Sequence, residues 1–135
     1  MKNLLYLKEN DYKTKVVYTE DEKIVDIKID KYIDSLCILS LSTKKGRVDA
    51  FKKIFRYQYN VPIYVNSETL LMKVKTKKTY WINYFMIDKI IKEKEKTVVF
   101  FKNGRIIKIN AKYKTVIKNY KSIYIVYLYL QKNLI

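Results

Sequence analysis

The chain has 135 residues, 49% of them hydrophobic, and carries 29 Lys and Arg against 13 Asp and Glu, a formal net charge of +16. That apolar content excludes a disordered basic tail and is enough for one domain with its own core. The absence of histidine and the lone Cys37 exclude an internal disulfide, a CxxC-type metal site and the usual histidine-based zinc and general-base constellations.

No cofactor or metal is called for by any motif. The longest apolar run, Ile123 to Leu130, is far short of the ~20 residues of a membrane span. The N-terminus has no long apolar h-region, so a cytoplasmic protein without membrane contact is expected. The charge is asymmetric. Residues 1–34 hold seven Lys and eight carboxylates, while residues 35–135 hold 22 Lys and Arg and five carboxylates. A polyanion partner is therefore expected on the later part of the chain. An AT-rich coding sequence would account for Lys in place of Arg and for part of the tyrosine count, and less well for the excess of Lys over Glu.

In chain order, residues 3–7, Lys15–Thr19 and Ile24–Ile29 cluster β-branched and aromatic residues and read as strands. Glu20-Asp21-Glu22 reads as a hairpin loop. Tyr32–Leu41 is a strand or a short helix. The stretch Cys37–Asn66 reads as strand, basic turn, helix and strand, with the bend at Lys44-Lys45-Gly46-Arg47. Gly46 is one of two glycines, and a positive φ or a close approach is expected there. From Val48 the apolar residues Val48, Phe51, Ile54 and Phe55 fall at helical spacing, with Lys52, Lys53 and Arg56 opposite and Asp49 in the first turn. Asn60 and Pro62 are expected to end that helix.

Ile63–Val65 and Leu70–Val74 read as short strands, the second running into a cationic loop with Lys75, Lys77 and Lys78. Tyr80–Ile91 is apolar, and Trp81 is expected at the core or its rim. In Val98–Ile109, Asn103-Gly104 between two strand-like runs predicts a type I′ hairpin with Arg105 at its tip. Residues 111–132 show helical spacing and predict a closing helix, with a strand as the alternative for IYIVYLYL. The expected fold is α+β. It is a single compact domain over residues 1–135, mostly antiparallel strands and hairpins, with one short mid-chain helix and a C-terminal helix; residues 35–135 carry its basic, DNA-binding part.

The order of SLCILSLS, Gly46-Arg47, a basic amphipathic segment, Pro62-Ile63 with Val65, Trp81-Ile82, Ile87, Val98–Phe100, Asn103-Gly104 and a closing helix resembles the bacterial competence transcription factor family, ComK. The resemblance covers roughly residues 30–130. It implies a DNA-binding activator that reads paired A/T-rich boxes largely through the minor groove. It also implies dimers that associate further, and engagement of RNA polymerase at genes for DNA uptake. Lys73-Val74-Lys75-Thr76 stands where the family has a Phe-Pro-Thr-like segment, and the loop to Trp81 is short. The chain stops soon after the closing helix, so control through a tail offered to an adaptor and protease is not expected.

A minor groove rich in A·T is narrow and strongly negative, and attracts cations without a base code. The expected DNA contacts are Lys44, Lys45, Gly46, Arg47, Lys52, Lys53, Arg56, Lys73, Lys75, Lys77, Lys78 and Arg105, with Arg47 and Arg105 entering the groove and the lysines on phosphates. Against this stands the ordinary reading of a charge run as a solvated face, and of Gly46 and Gly104 as backbone requirements. The alternative function is an RNA- or single-strand-binding module in which Tyr57, Tyr59 and Tyr64 stack on bases, although tyrosines more often fill cores. An enzyme is not expected. The acid-x-Lys pattern of metal-dependent nucleases occurs at Asp26-Ile27-Lys28, with Glu20 or Asp11 as the earlier carboxylate, but it is short and common.

Overall fold

The first strand decides how the rest is layered. In β1 (Leu4–Asn10) the register against β2 (Lys13–Tyr18) shifts between Leu4 and Tyr6. A bulge sends consecutive residues to one face: Leu5 and Tyr6 join one core cluster, Leu4 and Leu7 the other. Over Leu4–Leu7, β1 therefore buries apolar side chains on both faces, as a strand between two layers requires.

The computed structural model describes residues 2–56 and 59–133. The remaining strands are β3 (Glu22–Val25), β4 (Ile63–Asn66), β5 (Thr69–Lys75), β6 (Thr79–Asn83), β7 (Ile87–Glu93), β8 (Lys96–Phe101) and β9 (Ile106–Ile109). The helices are α1 (Ile29–Leu39), α2 (Lys44–Phe55) and α3 (Tyr113–Asn133). Six antiparallel strands form a sheet in the order β3-β2-β1-β6-β5-β4, and β7-β8-β9 form a second sheet. On one face of the large sheet, Ile29, Ile33 and Cys37 of α1 pack on Leu4, Leu7, Val16, Ile63, Leu71 and Trp81. On the other, the small sheet and Val116, Ile123 and Val126 of α3 pack on Leu5, Val17, Leu70, Met72 and Ile82. The α+β expectation, with its mid-chain and C-terminal helices, matches this architecture, and Trp81 is buried at the centre of the first layer.

Several local expectations fail for tertiary reasons. The strand expected over Ile24–Ile29 stops at Val25, and Ile29 opens α1, where it is buried against the sheet. The Tyr32–Leu41 ambiguity resolves as helix, so Cys37 stands in a helix rather than the strand read for the start of the Cys37–Asn66 stretch. The basic segment Lys44–Arg47 is the first turn of α2, not a bend. Asp49 falls beyond that turn and pairs with Lys45 at 2.7 Å. α2 ends at Phe55, because Arg56 takes a left-handed φ of 54°, well before Asn60 and Pro62.

The β8–β9 connection is not type I′. The Gly104 N–H donates to the Phe101 carbonyl at 2.9 Å, Gly104 has φ 91°, and Asn103 is not at positive φ. That is a turn centred on Lys102-Asn103 with glycine as the following bulge residue.

Asn83, fully buried, ties β6 to β1, to the β4–β5 hairpin and to the turn that leaves the large sheet. Its amide NH2 donates to the carbonyls of Leu4 (2.8 Å) and Glu68 (2.9 Å), and its oxygen accepts from the N–H of Leu70 (3.1 Å) and Phe85 (3.3 Å). Removing this side chain takes a partner from four backbone groups, those of Leu4 and Leu70 in buried positions. Asn83→Ala is expected to lower unfolding stability by about 3 kcal/mol, measured by urea denaturation; a change within ~0.5 kcal/mol would contradict this role.

The small-sheet side also gathers phenols. Tyr84 lies beside Tyr120 (5.2 Å between ring centres) and Tyr127 (6.0 Å), and burial pushes its pKa up to about 12. Burial also raises Tyr6, Tyr32 and Tyr120. These groups hold their protons more tightly folded than unfolded. Their contribution is complete below the ordinary phenol pKa of 10.0 and is lost as pH rises toward about 12. Stability is expected to fall across that window, and Tyr84→Phe to shallow the fall; an identical alkaline profile for the variant would contradict the assignment.

Candidate nucleic-acid interface

α2 begins with three cations, Lys44, Lys45 and Arg47, at the end of the helix where the dipole disfavours them. Its start is nonetheless well capped. The Thr43 hydroxyl accepts the Gly46 N–H at 2.9 Å, and the Asp34 carboxylate of α1 accepts the Lys44 N–H at 2.9 Å. A Cβ on Gly46 would come within 3.1 Å of the Thr43 hydroxyl oxygen, so glycine lets the cap close. Gly46 thus meets the expectation of a close approach, at a helix cap and without positive φ.

The helix runs alongside β4, the edge of the large sheet, with Val48 against the α1 layer and Phe51 against the α3 layer. Lys45, Lys52, Lys53 and Arg56 are exposed on its outer side. Arg47 points the other way. Its guanidinium donates to the Val65 carbonyl at 3.3 Å and lies 5.3 Å from the centre of the Tyr64 ring. Its Nε is buried and without a hydrogen-bond partner among the described residues. Lys44 is half-buried, 3.8 Å from Asp30.

Beyond the other end of β4, the β5–β6 connection presents Lys75, Lys77 and Lys78. Thr76 braces it, donating its hydroxyl to the Lys78 carbonyl at 2.7 Å. Lys73 lies with its ammonium 5.6 Å from the Trp81 ring. A groove of about 340 Å³ beside it is lined by Asn60, Lys73, Lys75, Asn110, Lys112 and Asn119. The Asn119 amide donates to the Lys73 carbonyl at 2.8 Å and pins α3 to β5. Asn60 follows Arg56 by four residues, at most ~14 Å of chain, so α2's last turn and the β5–β6 hairpin share one end of the molecule. Lys112, Asn110 and Asn119 escaped sequence reasoning. Only the docking of α3 brings them beside Lys75, and nothing local marks them.

Arg105 is elsewhere. Its guanidinium pairs with Glu22 of β3 at 3.2 Å, and the Asn103 amide donates to the Thr19 carbonyl. β3 and β4 are opposite edges of a six-stranded sheet, roughly 24 Å apart at ~4.8 Å per strand. Arg47 and Arg105 therefore do not converge on one groove. The acid-x-Lys constellation is not assembled either. Asp11 and Glu20 lie at opposite ends of β2, and the described residues hold no cluster of three carboxylates fit for a metal. Among the tyrosines, Tyr64 is half-buried under Arg47, Tyr59 is 81% exposed, and Tyr57 lies outside the described residues. No helix among the described residues is long and apolar enough to cross a membrane.

The model of the ComK protein family matches residues 4–134, nearly the whole chain. The chain belongs to the ComK family. The family is one of competence-type transcription factors. No curated protein and no solved structure matches it. The ComK match reaches back to β1, beyond the region of resemblance read from the sequence, so the three N-terminal strands β1–β3 are part of the family's domain. The family-like segment Ser35–Ser42 forms the end of α1 and its corner with α2, and Pro62–Val65 leads into and forms the guarded edge strand.

Because Arg47 serves edge strand β4, its stem and guanidinium have structural work independent of any ligand. Arg47→Ala is expected to cost about 1–2 kcal/mol in chemical denaturation. Arg47→Met, which keeps the stem and removes the unpartnered Nε, should stay within about 1 kcal/mol of the parent. Equal stability for Arg47→Ala and the parent would place the side chain outside the fold's support.

Proposed function

We propose that this ComK-family chain binds A/T-rich duplex DNA as an activator of competence genes, gripping phosphates along the outer side of α2 and engaging the minor groove with the β5–β6 hairpin. One observation carries the reading. Lys52, Lys53, Arg56, Lys75, Lys77 and Lys78 have no ion pair with a carboxylate among the described residues, and they gather where α2 ends and β5 turns into β6. Cations left unneutralised by their own fold are the ones able to displace counterions from a phosphate backbone. The Thr76-braced hairpin holds its lysines with little freedom to lose, which suits a groove ~6 Å wide.

In this reading Lys44 and Lys45 extend the phosphate track at the start of α2. Lys73 and Gly46 support it from within the fold, and Arg47 positions α2. Arg105 stands apart. Paired A/T boxes read by two copies, and engagement of RNA polymerase at genes for DNA uptake, are what the family resemblance adds. A second reading has one observation of its own: Tyr12 (77% exposed) and Tyr59 stand at the same end as the lysine hairpin, where they would stack on unpaired bases.

With ~6 phosphate contacts, duplex affinity followed by fluorescence anisotropy should fall with salt at a log–log slope near −5. The triple change Lys75→Ala, Lys77→Ala and Lys78→Ala should reduce the slope by about 3, whereas Lys108→Ala, paired with Glu93 on the small sheet, should leave it unchanged. Salt-independent binding, or equal losses for both variants, would remove the proposal. Preference for single strands in competition would move the function to the second reading.

A further inference from the structure

The corner between α1 and α2 breaks a local rule without a compensating contact. α1 closes with the Leu41 N–H on the Ile38 carbonyl (2.9 Å) and the Ser42 N–H on the Cys37 carbonyl (3.0 Å), and Leu41 takes a left-handed φ of 62°. This helix-ending arrangement favours glycine or asparagine at that position, because a Cβ is strained there. Leucine stands there instead and is 97% exposed, so its side chain contributes no burial to the fold. Leu39 (82% exposed) and Ile38 (55%) flank it. Lys44 and Lys45 follow after Ser42 and Thr43, beside Asp30 (3.8 Å) and Asp49 (2.7 Å) respectively, surface pairs that a phosphate can displace.

We infer that this corner is a wedge, tipped by Leu41, that enters the base stack of duplex DNA from the minor groove. The inference rests on the duplex-binding reading above and adds a mechanism to it. Aliphatic side chains on a rigid projection, followed by cations for an adjoining phosphate, are what partial unstacking of a base step from the minor groove requires. The two-bond closure of α1 fixes the backbone behind the tip, so insertion need not order a loose loop. A pyrimidine–purine step such as TA unstacks at least cost, which would place the kink inside an A/T box. A second copy is a poor occupant of the same corner, since each chain carries +16 and the corner is flanked by lysines.

The test uses an A/T-rich duplex of about one and a half turns either side of a central TA step, labelled at its ends for energy transfer and carrying 2-aminopurine beside that step. The full chain is expected to shorten the end-to-end distance and raise 2-aminopurine emission. Leu41→Asn, which relaxes the left-handed residue, should melt at the same or a higher temperature than the parent. It should keep the salt slope, lose the bend and the emission change, and bind about 10-fold more weakly. Leu41→Asn that bends and unstacks the duplex like the parent overturns the wedge while leaving duplex binding intact. Loss of the salt-dependent grip in the parent itself overturns the wedge together with the reading beneath it. Concentration-dependent self-association of the parent that Leu41→Asn abolishes, with bending unchanged, would assign the corner to a protein contact instead and also overturns it.

Discussion

Four hydrogen bonds at one buried amide join three strands of the large sheet to the turn that leaves it. Asn83 ends β6 and precedes the short 3-10 turn at Tyr84–Met86 that carries the chain from the large sheet to the small one. At that crossing the backbone leaves its ladder, and the groups of Leu4, Glu68, Leu70 and Phe85 that would lose partners find them on the side chain. An amide is the side chain suited to the task, since it offers two donors and an acceptor in one plane. An aspartate could not donate, and a hydrophobic residue would leave buried polar atoms bare. The stacking of the small sheet and α3 on the large sheet follows from that crossing, and so does the groove between β5 and the start of α3.

The same economy governs charge. A chain at +16 must spread its cations or neutralise them. Here the carboxylates pair with six cations among the described residues, Lys2 with Asp21 among them, and leave most of the others bare. Glu22 takes Lys15 and Arg105, Asp49 takes Lys45, Asp30 takes Lys44 and Glu93 takes Lys108. The last turn of α2 and the β5–β6 hairpin receive no such partner among the described residues. Surface pairs contribute little to stability, on the order of 0–1 kcal/mol each.

Fold class, the C-terminal helix and most strands were legible because apolar periodicity in 63–75 and 111–132 coincides with real burial. Where sequence reading failed, the failures share one cause. Lys44–Arg47 looks like a bend because charge and glycine cluster there, yet Thr43 and Asp34 cap it into a helix from outside the cluster. Asn103-Gly104 fits the commonest hairpin signal, but the turn sits one residue earlier and uses glycine for the bulge. Arg47 and Arg105 look equivalent beside their glycines, and only sheet order reveals that they stand at opposite edges. The left-handed residues Leu41 and Arg56 carry no signature in the sequence, since neither is a type that favours such backbone. The lysines of the proposed interface were visible, but Lys112 and the asparagines of the groove depend on which strand α3 covers.

Arg47 also bears on how this sheet avoids growing. β4 is a short outer strand whose register against β5 shifts at Val65, and the Val65 carbonyl accepts from the α2 guanidinium. Any polyanion drawn to the outer side of α2 pulls on the helix that shields this strand, yet rewards the molecule for keeping it in place. Occupancy by nucleic acid would thus double as protection against templated strand addition, and a pool of unoccupied molecules would be the one most prone to clump.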